Sequence, residues 1–186
     1  MKTKTFTVLA ALAALAVVTG CTNQQGTTEA PVFITVDLQD QQGFVNVSVP
    51  APVQLETIVL RSQLKDSTAS DPQGFANTQV NEYTVRYRRT DGGTLVPPVQ
   101  TFGCGVLVPV GGSSTLSNFP VLTQAAVTGT PFDQLLPFNG GIDRQTGRDE
   151  IDTAFDITFF GTTVSGHRVQ SQTASGILIF RYTPVN

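Results

Sequence analysis

Four carboxylates gather in one short stretch of this chain, residues 139–152: Asp143, Asp149, Glu150 and Asp152. Calcium takes several hard oxygens from one loop, often with a glycine to turn it, and Gly140, Gly141 and Gly147 lie in the same stretch. Asp143, Asp149 and Asp152 are therefore the calcium candidates. Arg144 and Arg148 stand among them and the spacing is not that of an EF-hand, so a salt-bridged polar loop explains the same residues. A carboxylate pair for glycoside hydrolysis would need a cleft and a raised pKa, and neither is indicated. Cys104, between Gly103 and Gly105, could be a nucleophile, a redox thiol or an intermolecular disulfide partner; it is also simply a small residue on a strand. A catalytic thiol wants a neighbouring base, and the chain's single histidine, His167, lies far along the sequence in the turn Ser165-Gly166-His167-Arg168. One histidine beside an arginine lacks the companions of a metal site.

Arg86, Arg88 and Arg89 form a small basic stripe, expected on one strand face. Nucleic acid binding would need more positive charge and stacking aromatics, so no nucleic acid is expected and a charge-guarded edge or solvated face is the plainer explanation. The glycine pairs at 92–93, 111–112 and 140–141 sit in no strand–loop–helix context and make no phosphate cradle. With no Trp and three Tyr, a flat aromatic platform for glycans is lacking. No constellation of nucleophile, base or metal ligands is complete. The expectation is a non-catalytic protein without a cofactor.

Charged residues make up 13% of the 186 positions, and the formal charge is −3, so there is no positive field to draw in a phosphate backbone. Two cysteines support neither a disulfide framework nor a four-thiolate zinc site. Residues 1–20 read as an address. Lys2 and Lys4 precede an uninterrupted apolar run over residues 8–18, of signal-peptide length and short of the ~18–20 residues needed to span a bilayer. The following Val18-Thr19-Gly20-Cys21 resembles the lipobox of bacterial lipoproteins. That resemblance implies cleavage before Cys21, lipidation of its sulfur, and a membrane held through the acyl chains. Thr22, in place of an acidic residue, implies the outer membrane by the same resemblance, on its periplasmic or surface face. Losing Lys2 and Lys4 takes the formal charge from −3 to −5. Residues 21–30 are a polar tether reaching at most ~30 Å, leaving residues 31–186 as one domain.

In that domain the apolar period is two rather than 3.6. Val32, Ile34, Val36 and Leu38 alternate with polar or outward residues, as do Val45, Val47 and Val49 after the turn at 39–43; together they predict an N-terminal hairpin of antiparallel strands. Residues 55–62 predict a third strand and 65–78 a loop. Over 80–89, Tyr83, Val85 and Tyr87 take one face and Thr84, Arg86 and Arg88 the other, ending in the turn Thr90-Asp91-Gly92-Gly93. Residues 99–110, 121–127, 153–161, 164–170 and 175–182 complete the strands, and 131–136 holds one helical turn at most. Phe155, Ile157 and Phe159 mark a core face. Residues 175–182 are apolar on both faces, Ile177 and Ile179 against Leu178 and Phe180, so the outer face is expected to be covered or to form an interface.

Seven to nine short strands predict an all-β sandwich. Tyr83-Thr84-Val85-Arg86-Tyr87-Arg88-Arg89 with Thr90-Asp91-Gly92 resembles the middle strand of fibronectin type III and related immunoglobulin-like domains. Residues 156–161, 165–167 and 177–180 resemble a closing hairpin of such a domain. The resemblance implies an immunoglobulin-like sandwich, enlarged by the N-terminal hairpin and a long connection between Gly92 and Glu150, with neither the buried Trp nor the inter-sheet disulfide of antibody domains. A lipid-anchored envelope module that meets a protein partner is the functional expectation. A ligand- or calcium-binding lipoprotein using loop 139–152 is the alternative.

Overall fold

The computed structural model describes residues 30–39 and 41–184. The leader, the lipobox with Cys21 and most of the tether lie outside the described residues. Nine strands follow: β1 Val32–Leu38, β2 Gln42–Asn46, β3 Val53–Leu64, β4 Thr78–Arg89, β5 Gln100–Val108, β6 Ser113–Leu122, β7 Glu150–Thr163, β8 Arg168–Gln170 and β9 Ala174–Arg181. They form an all-β sandwich: a three-stranded sheet in the order β1-β3-β6 faces a larger one in the order β2-β9-β7-β4-β5, with β8 added to β7. Leaving β2 and β8 aside, this follows the immunoglobulin-like plan, in which the first, second and fifth strands oppose the third, sixth and seventh.

The N-terminal hairpin does not form. β1 pairs antiparallel with β3, whereas β2 crosses to the other sheet and runs parallel to β9, with Phe44 opposite Ile179 and Asn46 opposite Arg181. The larger sheet is therefore mixed rather than purely antiparallel. Alternation marks a strand and its buried face but not its partner, and here the apolar faces of β1 and β2 are buried on opposite layers. Three further expectations change. Within the supposed connection from Gly92 to Glu150, β5 answers to the strand expected over 99–110, and β6 is added to it. The strand predicted at 121–127 ends at Leu122 and gives way to one turn of helix, α1 Gln124–Val127. Of residues 164–170, only Arg168–Gln170 pair, because 164–167 make the turn.

Both poles of the sandwich follow from register. Val32 lies opposite Leu64 and Thr78 opposite Thr163, so the chain comes in at the pole carrying the β3–β4 loop, the β5–β6 turn and the β7–β8 turn. This is the near pole. Arg89 lies opposite Thr153 and Glu150 opposite Arg181, which sets the β4–β5 loop, the β6–β7 connection and the end of β9 at the far pole.

The core is aromatic where antibody domains have tryptophan and a disulfide. Tyr83 of β4 packs on Phe119 of β6 with ring centroids 4.0 Å apart, and on Phe102 and Phe159 at 5.1 and 5.3 Å. Such pairs contribute roughly 0.5–1.5 kcal/mol each beyond burial. The Tyr83 hydroxyl donates to the Pro120 carbonyl at 2.6 Å, and the Tyr87 hydroxyl to that of Val121. Two polar tips thus tie β4 to the backbone of the opposite sheet, as the inward parity of Tyr83, Val85 and Tyr87 predicts. Phe155, Ile157 and Phe159 are all buried, also as expected.

Candidate functional site

Arg89 continues the inward parity of Tyr83, Val85 and Tyr87, so it does not share a face with Arg86 and Arg88. Those two are exposed, Arg88 reaching Asp156 at 3.9 Å. The Arg89 side chain is 1% exposed and its partners Asp91 and Asp143 are 0%. It grips Asp91 with two bonds, Nε to Oδ1 and Nη2 to Oδ2, both 2.7 Å, and donates to Asp143 Oδ2 at 2.8 Å. Asp91 also accepts from the Gly93 and Asp152 N–H groups at 3.1 Å. Asp143 accepts from the N–H and hydroxyl of Thr146 at 3.0 and 2.7 Å. The end of β4, the β4–β5 turn, the β6–β7 connection and the start of β7 are thereby fastened to one guanidinium.

The carboxylates of loop 139–152 consequently divide. Asp143 is turned inward to Arg89, while Asp152 and Glu150 accept from Arg148, Asp152 at 3.0 Å. Asp149 is exposed. The three calcium candidates do not converge, and among the described residues no group of three His, Cys, Asp or Glu side chains could hold a metal ion.

Burial alone would raise the Asp91 carboxyl from its ordinary 3.8, but the Arg89 bonds, then the Gly93 and Asp152 N–H groups, outweigh it and hold it at about 2. Burial opposes and the Arg89 and Thr146 bonds prevail at Asp143 too, which is also lowered. A carboxyl more acidic in the folded state stabilises the fold above its unfolded pKa and loses that contribution as pH falls through the folded one. Denaturation midpoints measured from pH 5 downward should therefore decline between about pH 4 and pH 2, with Asp91 accounting for about 2 kcal/mol. A flat profile across that window would contradict the buried pairing.

Cys104 is half-buried on the edge strand β5, its Sγ 3.9 Å from the Val80 carbonyl. Burial, then the Glu82 charge, pushes its thiol up to about 11, so it is protonated at neutral pH and a poor nucleophile. His167 is exposed at the tip of the β7–β8 turn, as its sequence suggests.

No protein-family model, curated protein or solved structure matches the chain.

The far pole offers the most developed surface. Phe132 and Leu135 are fully buried, Phe132 stacked on Phe180 of β9 at 3.7 Å. They anchor two short 3-10 turns, Phe132–Leu135 and Pro137–Asn139. The tip between them is closed by Asn139 Nδ2 donating to the Asp133 carbonyl and by the Gly141 N–H donating to that of Leu136. On this fastened tip Phe138 is 82% exposed, with Ile142 half-uncovered nearby in the sequence. Beside them a cleft of about 730 Å³ is bounded by Pro137, Gly140, Asp149, Glu150, Arg181 and Tyr182. Arg181 links the cleft to the outer face of β2 and β9, its guanidinium 5.0 Å from the Phe44 ring. Phe44 is 64% and Ile177 41% exposed there. On the outer face of β9, among the described residues, Ile177 is thus exposed and Ile179, opposite Phe44, half-buried. Strand alternation does not single out Phe138. The available signal is its context, Pro137-Phe138-Asn139-Gly140-Gly141, an aromatic inside turn residues with no alternating run to bury it.

Proposed function

We propose that this protein is a lipid-anchored, non-catalytic interaction module of the bacterial cell envelope that engages a protein partner through its far pole. The carrying observation is Phe138, almost fully exposed on a tip that buried Phe132, Leu135 and the Arg89 cluster hold in place. Ordering an apolar side chain in water has no packing return within the domain, and exposed aromatics on a fixed backbone make good interface anchors because little entropy remains to be lost on docking. The adjoining cleft, with the Arg181–Phe44 face beside it, gives such an anchor a polar rim. The lipobox supplies the membrane half of the reading, and the −5 charge of the lipidated chain is in keeping with an absence of nucleic acid partners.

Cross-linked co-purification from detergent-solubilised envelopes tests both halves. The wild-type chain should recover one stoichiometric partner and F138D should lose it, with an unchanged denaturation midpoint. Recovery of the wild-type chain alone counts against the module. The C21S chain should leave the membrane fraction and fail to incorporate labelled palmitate. If it stays membrane-bound, the anchor reading fails.

A further inference from the structure

The near pole carries two apolar side chains left largely uncovered. Phe75, in the β3–β4 loop, is 55% exposed, and Val164, in the β7–β8 turn, is 59% exposed. Backbone hydrogen bonds hold the loop and the turn together: the Val164 N–H donates to the Asn77 carbonyl at 2.9 Å and the Ser165 N–H to that of Phe75 at 3.0 Å. The loop is itself fastened. The Asp71 carboxylate accepts from the N–H groups of Phe75 and Ala76 at 3.1 and 2.6 Å, and Asn77 Oδ1 accepts from that of Val110 at 2.9 Å. Phe75 and Val164 therefore stand on a preorganised surface.

The chain meets the sandwich at this same pole, where the Lys65 N–H donates to the Pro31 carbonyl at 2.8 Å. From a lipidated Cys21, the residues up to 30 reach at most ~30 Å. β7, with 14 residues, is roughly 45 Å long. That tether cannot run back along the sandwich and turn the far pole to the bilayer. With Cys21 anchored, the near pole is therefore the pole held beside the bilayer.

We infer that the near pole is a second membrane contact, in which Phe75 and Val164 enter the headgroup boundary of the bilayer that holds the lipid anchor. This rests on the anchor reading above. Lys65, Arg168 and His167 share the pole with Asp66 and Asp71, so charge does not select anionic lipid and apolar transfer drives the contact. Two such side chains would not hold a protein on a membrane alone. Tethered within ~30 Å of the surface, they act at a high effective concentration and set the orientation of the domain. The far pole, with Phe138, then points away from the lipid.

The chain contains no Trp, so one introduced tryptophan reports alone. Full-length lipidated chains carrying F75W, V164W or F138W are reconstituted into phosphatidylethanolamine–phosphatidylglycerol vesicles with ordinary or brominated acyl chains. All three should float with the vesicles. F75W and V164W emission should shift to the blue and lose most of its intensity against brominated chains, while F138W emission should be unchanged. Flotation without quenching at both 75 and 164 overturns the second contact and leaves the anchor standing. Quenching of F138W overturns the orientation. Failure of all three to float overturns the anchor, and the contact with it. Two reporter positions guard against one substitution disturbing the fold.

Discussion

Replacing Arg89 with alanine is expected to cost about 3–5 kcal/mol of folding stability, the usual consequence of removing one member of a buried ionic group. The loss is not mainly the forgone attraction. Asp91 and Asp143 would remain fully buried with no counter-charge, and a desolvated carboxylate without its partner is far costlier than the pair. Gly93 shows how closely the guanidinium is surrounded, since a Cβ there would fall 2.4 Å from Arg89 Cζ. Equilibrium denaturation checks the magnitude, and pH supplies a second check through its sign. In the wild-type chain Asp91 and Asp143 are more acidic folded than unfolded, so their contribution falls as pH is lowered. In R89A the lowering by the guanidinium is gone, leaving burial opposed only by the Gly93, Asp152 and Thr146 donors, so both carboxyls are less acidic than in the wild-type chain and less stability is lost on acidification. The R89A deficit should therefore shrink below about pH 4. A pH-independent deficit would point to lost packing instead of an orphaned charge.

Gly161→Ala is the second large effect, and its cause is steric alone. β4 carries a register shift between Val80 and Glu82 against both of its neighbours. This bulge brings the β4 backbone over Gly161 of β7. A Cβ at 161 would lie 2.2 Å from the Gln79 carbonyl oxygen and 2.8 Å from Val80 Cα. Both obstacles are main chain, so no side chain can swing away and the central pair of the larger sheet must part. We expect destabilisation at or above the upper end of the ~1–3 kcal/mol usual for overpacking. Gly103→Ala is the control. Its Cβ would meet nothing within 4 Å, so it should be neutral or slightly stabilising through the unfolded chain. Similar midpoints for the two variants would contradict the bulge.

The Arg89–Asp143 pair and the approach of Gln79 and Val80 to Gly161 join residues distant along the chain, which no local pattern discloses. Strand alternation is a local property, so Tyr83, Val85 and Tyr87, and Phe155, Ile157 and Phe159, disclose their buried faces without a fold. The polar turn residues of 65–78 likewise disclose a loop, and the strand-sandwich class follows from the number and spacing of such runs. Most of β6 escapes detection because Ser113, Ser114, Thr115, Ser117 and Asn118 make it read as loop, although it pairs with β3 along most of its length; it is polar because it lies at a sheet edge, half-exposed. Arg89 is misplaced by charge, being grouped with Arg86 and Arg88 despite its inward parity.

The proposed leader and lipobox with Cys21 rest on contiguous residue types, and the membrane half of the proposed function comes from them alone. Partner choice is different in kind. Whether β2 pairs with β1 or crosses to β9, whether Asp143 meets calcium or an arginine 54 positions away, and whether Phe138 is buried or displayed all depend on which distant surfaces the closed sandwich brings together. Burial, desolvation and charge pairing exist only once those surfaces meet, and tertiary structure alone decides them.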